Sequence, residues 1–269
     1  MRELNEIIDQ TIQTLEQMKR SGVTHLEVSA QTLAALGDVS VVKERPSAER
    51  PVADLQTTSS ASRMEALRVV TRPATSDAEF AVIEKRARNC MLCRELSHGR
   101  HSVVFGIGNL RADLMFIGEA PGADEDAQGE PFVGRAGQLL TKIIQAMGYR
   151  REDVYISNVL KCRPPQNRTP LPDEVANCLP YLLSQIELIQ PKVIVALGAT
   201  ALRALLDVQL GITKMRGRWY TFRDIPIMPT FHPAYLLRNP AAKRDVWTDM
   251  KAVLEKLGRP VPVDQHSQP

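Results

Sequence analysis

Four cysteines, and no others, stand at Cys90, Cys93, Cys162 and Cys178, in the pattern C-x2-C-x68-C-x15-C. A close pair can share one metal centre at once, but the distant pair reaches it only if the fold carries both residues there. Such a centre pins the segment before the first strand to the later half of the chain. The N-terminus has acidic residues and no continuous apolar stretch, and no later run approaches the roughly 18 apolar residues of a membrane span. The chain is therefore expected in the cytoplasm, associated with the nucleoid, with no membrane partner. In that reducing compartment four cysteines bind metal or do redox chemistry more readily than they form two disulfides. Four thiolates suit tetrahedral zinc and a [4Fe–4S] cluster alike, buried unpaired thiols are a third reading, and spacing does not choose among them.

Apolar periodicity divides the chain into three. Leu4, Ile7, Ile8, Ile12, Leu15 and Met18 recur at helical spacing before Gly22, so the first twenty residues read as an amphipathic helix. Its apolar face needs a surface, on the rest of the chain or on a protein partner. From about Val41 to Pro73 the periodicity fades into Pro, Ser, Thr and Ala, the composition of a flexible linker. Residues 1–75 thus form a helical and flexible extension, residues 76–258 the main domain, and residues 259–269 a disordered tail.

Within the main domain Ser76 and Glu79 make a capping-box pattern that starts a helix towards Cys90. Short apolar runs at 114–117, 154–156, 193–197 and 225–228 read as strands, and 136–148, 173–189, 199–207 and 243–257 as helices. This alternation predicts an α/β fold: a three-layer α/β/α sandwich with a mostly parallel central sheet and the working site at the carboxyl ends of its strands. Three segments fall at those ends: Gly118 to Gly122, Ser157-Asn158, and Thr230 to Pro233. The glycine-rich turn after the first strand lacks the Lys-Ser/Thr ending of a P-loop and the spacing of a dinucleotide fingerprint. The formal net charge of +3 comes from a small basic excess beyond residue 75, which fits a phosphate-contacting face without requiring one.

Taken in order, Gly118-Glu119-Ala120-Pro121-Gly122-Ala123-Asp124-Glu125-Asp126, Gly129 to Gly137, Asn158 to Pro165 and His232-Pro233-Ala234 resemble the family 4 uracil-DNA glycosylases. The four cysteine positions resemble that family's cluster ligands, and the likeness covers about residues 80–257. It implies that Cys90, Cys93, Cys162 and Cys178 hold a structural [4Fe–4S] cluster and that the partner is uracil-containing DNA, single- or double-stranded; a monomer is expected.

The same resemblance assigns the site. Phe132 would be the ring on which a flipped uracil stacks, since every base presents a π-face. Asn158 can donate to O4 and accept from N3–H together, a pair that matches uracil and mismatches cytosine. His232, as a neutral imidazole, would donate to O2 as charge builds there, aided by backbone around Gly118, Glu119 and Ala120. Another branch of relatives places an Asp where this chain has Ala120, so the carboxylate that orients the attacking water must lie elsewhere. Glu119 is the first candidate and Glu125 the second, with a role in rejecting thymine as Glu125's other reading; Asp124 and Asp126 read as solvated loop charges. Ala234-Tyr235-Leu236-Leu237-Arg238 resembles the loop that enters the duplex, with Leu236 or Leu237 as the wedge and Arg238 on a phosphate. The plainer reading of that segment is the first turn of a helix. Lys214, Arg216 and Arg218 form a basic loop expected to grip the backbone. A trapping relative carries a basic, His-containing insert after its third cysteine, and residues 162–170 have none. A non-catalytic DNA-binding module is the alternative from a different class.

Overall fold

The computed structural model describes residues 76–262 apart from positions 207 and 209. The helix expected over the first twenty residues, the linker and the end of the tail lie outside the described residues. The tail's first residues are tied down: the Arg259 guanidinium lies 4.1 Å from the centre of the Tyr149 ring and Val261 packs on the core.

Helix α1 (Ser76–Arg88) leads to the first cysteine pair, and α2 (Arg94–Gly99) starts beside Cys93. A two-residue strand β1 (Ile107–Gly108) precedes β2 (Leu114–Gly118), α3 (Ala123–Gln128) and α4 (Arg135–Ala146). Then come β3 (Tyr155–Asn158), α5 (Pro172–Ile189), β4 (Val193–Leu197) and α6 (Ala199–Leu206). The chain closes with α7 (Ile212–Met215), β5 (Tyr220–Phe222), β6 (Ile225–Thr230), α8 (Pro233–Arg238) and α9 (Lys243–Lys256).

These strands form a sheet in the order β1-β3-β2-β4-β6-β5. The four central strands are parallel, and the short β1 and β5 close the two edges antiparallel. Every residue of β2, β3 and β4 is buried, as a parallel sheet covered on both faces requires. Period-two alternation then sorts one apolar run onto two faces. Met115, Ile117, Ile194 and Ala196 meet Leu182 and Ile186 of α5 and Leu202 of α6. Leu114, Phe116, Val193 and Val195 meet Leu140 and Ile144 of α4 and Met250 and Val253 of α9. The three-layer α/β/α sandwich is thus present, with its parallel part where the four apolar runs predicted it. β5 and β6 are joined by Arg223 and Asp224, both at positive φ (47° and 66°), the conformation of a tight hairpin turn whose twist matches the strands.

Candidate active site

The carboxyl ends of β2 and β3 meet in register, Gly118 beside Asn158. Together with the segments following β4 and β6 they floor a cleft of about 670 Å3, lined by Glu119, Phe132, Asn158, His232, Tyr235 and Arg238 among others. The sequence-predicted base-binding residues therefore converge in one place.

Packing dictates the glycines there. A Cβ on Gly118 would lie 2.3 Å from Asn158 Oδ1 and 2.5 Å from Phe132 Cζ, and one on Gly137 would lie 1.9 Å from the Phe132 carbonyl. Only glycine admits the ring that closely. Phe132 itself has φ +54°, an unusual conformation for an aromatic residue, and it is held from both sides. Arg151 donates from Nη2 to the Pro131 carbonyl (2.5 Å) and from Nη1 to Thr141 Oγ1 (3.1 Å). Glu125 Oε1 accepts from the Val133 and Gly134 amides, both at 3.0 Å, and Oε2 accepts from Gly122 N at 3.1 Å. The second water-orienting candidate, Glu125, thus lies in the cleft wall with three backbone donors on its carboxylate, where it clamps the Phe132 loop and caps α3. The reading of Asp126 is corrected. It is buried, accepts from the His101 and Ser102 amides, and anchors the chain ahead of β1 instead of facing solvent.

Asn158 is 2% exposed, and its Oδ1 finds no hydrogen-bond partner among the described residues. A buried orphan acceptor costs about 1–3 kcal/mol, so its presence at the floor of a cleft marks a place for a donor from a ligand. The Phe132 and His232 rings lie 5.6 Å apart, tilted by 33°. His232 Nδ1 accepts from Ala234 N at 3.1 Å, which leaves the ring proton on Nε2. Burial, assisted by the Arg238 charge and opposed by Glu125, lowers the His232 pKa to about 4, so the imidazole is neutral at physiological pH. Glu119 also lines the cleft; its Oε2 accepts from Thr200 Oγ1 at 2.5 Å, a contact that orients the carboxylate and leaves Oε1 for another partner.

The segment after His232 is a helix, α8, as its plainer reading had it. Leu236, 1% exposed, belongs to the core and is withdrawn as a wedge, whereas Leu237 is 39% exposed and lines the cleft with Tyr235 and Arg238. Arg216 is likewise withdrawn as a DNA contact. Its Nη2 donates to Asp249 Oδ1 (2.7 Å), its Nε to Oδ2 (3.2 Å), and its guanidinium stacks 5.3 Å from the centre of the Phe231 ring. Asp249 also accepts from Thr230 Oγ1 at 2.6 Å, so Arg216 supports the strand end that carries His232. Lys214 and Arg218 remain exposed.

All four cysteines line a second cavity, with Arg100, Lys161, Asn177 and Tyr181. Cys162 Sγ accepts from Arg100 Nη1 (3.1 Å), Cys178 Sγ from Lys161 N (3.2 Å) and Cys93 Sγ from Asn177 Nδ2 (3.7 Å). Burial raises the pKa values of Cys93 and Cys162 and pushes Cys178 up to about 12, so the thiolate form needs a positive partner. Among the described residues no three His, Cys, Asp or Glu side chains converge as a site for a single ion; the sulfurs stand around the cavity instead.

Reasoning from motifs missed Thr200, Arg151, Asp249 and the buried Lys161. Thr200 alone left a signal, since it opens the helix after β4 at the working end of the sheet.

An α/β/α sandwich with a cleft at the carboxyl ends of its parallel strands narrows the class, and comparison of sequences defines it: the chain belongs to the uracil-DNA glycosylase superfamily, whose family model matches residues 105–251. Within it the chain is similar to both type-4 and type-5 members. The type-4 uracil-DNA glycosylase of Thermotoga maritima is 52% identical over 169 residues, 61% of this chain and 86% of that protein. That of Archaeoglobus fulgidus is 43% identical over 185 residues, 65% and 93% respectively. The type-5 uracil-DNA glycosylase of Pyrobaculum aerophilum is 34% identical over 150 residues, 49% and 66%.

Proposed function

We propose that this protein is a uracil-DNA glycosylase: it turns uracil out of DNA into the cleft and hydrolyses its N-glycosidic bond, leaving an abasic site for base excision repair. The observation that carries this reading is the unpaired, buried Oδ1 of Asn158, set beside the Phe132 ring and a neutral His232. Uracil N3–H is the donor that Oδ1 lacks, and the amide NH2 of the same residue can donate to O4. Cytosine offers neither complement, because its N3 accepts and its N4 donates.

Bond cleavage then follows from charge placement. As the bond to N1 lengthens, the sugar becomes oxocarbenium-like and negative charge gathers on the base. His232 Nε2–H donates to O2 and stabilises that charge, and because the ring is neutral it need not lose a proton to do so. Glu119, oriented by Thr200, favours the sugar cation and positions the water that adds to it. Leu237 fills the space left in the duplex and Arg238 approaches a phosphate.

Cys90, Cys93, Cys162 and Cys178 would hold a [4Fe–4S] cluster, which supplies a structural cross-link and takes no part in base release. Support comes from the donor set: four thiols around one cavity, Cys162 and Cys178 buried and Cys90 and Cys93 half-buried, faced by Arg100 and by backbone and amide N–H groups, suit a cluster larger than one ion.

The test is base release from an oligonucleotide with one uracil, scored as alkali-labile strand cleavage, for wild type and Asn158→Ala. Catalytic formation of abasic sites by wild type, with a loss of about a hundredfold or more in the variant, supports the reading. Binding of uracil-DNA without release by either protein would replace it with the non-catalytic module.

A further inference from the structure

Lys161 is 1% exposed and buried in the heart of the domain. Its Nζ donates to Ser157 Oγ (2.6 Å), Gln185 Oε1 (2.6 Å) and the Asn158 carbonyl (2.8 Å). The three acceptors match in number the N–H donors a lysine head group can offer. The acceptors are themselves held: Gln185 Nε2 donates to the Phe105 carbonyl (2.9 Å) and lies 3.1 Å from Tyr155 Oη, and Ser157 Oγ lies 3.1 Å from the Phe105 carbonyl. The network thus joins the end of β3, the middle of α5 and the chain ahead of β1. Lys161 also reaches the second cavity, where its backbone N–H bonds Cys178 Sγ. It does not line the base cleft.

We propose that Lys161 is a positioning residue: the three hydrogen bonds of its Nζ fix the carboxyl end of β3 so that the Asn158 amide faces the base in the orientation uracil requires. One buried side chain thereby joins base recognition to the packing around the cysteines. This rests on the glycosylase reading and deepens it. A polar network satisfied in full defines one geometry, whereas a partly satisfied one does not, and a misplacement of about 1 Å at a recognising group costs about a hundredfold in rate.

The experiment pairs Lys161→Met, similar in length but uncharged, with Asn158→Ala in a double-mutant cycle on the intact protein. Three readouts are taken: kcat and KM for uracil-DNA, calorimetric binding of free uracil, and thermal unfolding with iron content. Lys161→Met is expected to lower kcat and uracil affinity about 10- to 100-fold with KM for DNA and iron content retained. In the Asn158→Ala background it should add nothing, since the residue acts through Asn158. Gln185→Met, which removes one acceptor on the side away from the cleft, should give a smaller loss of the same kind. Wild-type kcat and uracil affinity in Lys161→Met, or losses that multiply with those of Asn158→Ala, would overturn the proposal, as would failure of both Lys161→Met and Gln185→Met to fold. A wild-type protein that binds uracil yet releases none from DNA would instead count against the glycosylase reading, and the uracil-affinity arm would still judge Lys161.

Discussion

His232 makes a prediction that couples stability to catalysis. Its pKa is about 4 in the folded protein against an ordinary 6.5, so the unfolded chain binds the extra proton first as pH falls. Stability is therefore unaffected by this group above about pH 7.5, declines as pH falls from 6.5 towards 4, and is constant below. The full difference corresponds to about 3 kcal/mol, and about 1.4 kcal/mol of it is lost between pH 7.5 and pH 5.5. His232→Asn keeps an acceptor for the Ala234 amide and removes the titration. Urea unfolding of both proteins at the two pH values cancels every other titrating group, and wild type should lose about 1.4 kcal/mol more than the variant. Between the same limits the wild-type kcat should show no acid limb due to this residue, because the imidazole stays neutral throughout. The variant, lacking the Nε2–H donor, should be slower by about 10²–10³. An acid limb near pH 6.5 that vanishes in His232→Asn, together with equal pH sensitivity of unfolding in the two proteins, would refute the claim that the ring is buried and neutral.

Three further outcomes follow from the same geometry. Leu237→Ala should leave urea unfolding unchanged and slow uracil release from duplex DNA more than from a single strand, which has no gap to fill, whereas Leu236→Ala should cost about 2–5 kcal/mol of stability. Arg216→Met strands the buried Asp249 carboxylate and should cost about 3–5 kcal/mol in denaturant, with the salt dependence of DNA binding unchanged; a slope reduced by about one charge would restore Arg216 as a phosphate contact. Gly118→Ala sets a methyl against Asn158 Oδ1 and Phe132, so kcat should fall about a hundredfold while binding of uracil-free DNA is kept; a fully active variant would show that the close approach of ring and amide is dispensable.

The sheet was legible because its four central strands are continuous apolar runs of strand length, separated by segments with a helical period. The edge strands were not: two and three residues carry no period, and β1 and β5 exist only through pairing with β3 and β6. In the cleft, Phe132, Asn158 and His232 were singled out by the family resemblance of ordered motifs, and the fold brings the three together from the loop before α4 and from the ends of β3 and β6. What the motifs could not convey is which polar side chains are spent on the protein's own backbone. Glu125 and Asp126 stand one and two residues beyond an exposed Asp124 in the same acidic run, and only the folding back of 131–134 and of 101–102 gives them their donors. Arg216 was misread for the same reason, since its partner Asp249 lies 33 residues away on α9. The adjacent leucines 236 and 237 part company because neighbouring positions on a helix point about 100° apart.

The two short antiparallel strands that border the sheet also bear on behaviour at high concentration. Unpaired backbone along a sheet margin is a template on which another chain can lay a strand, and long parallel sheets are especially exposed to it. Here the four long strands lie inside, and each margin offers no more than three residues before the chain turns away. Among the described residues the sheet has almost nothing to extend, so it lacks the open margin that invites polymerisation.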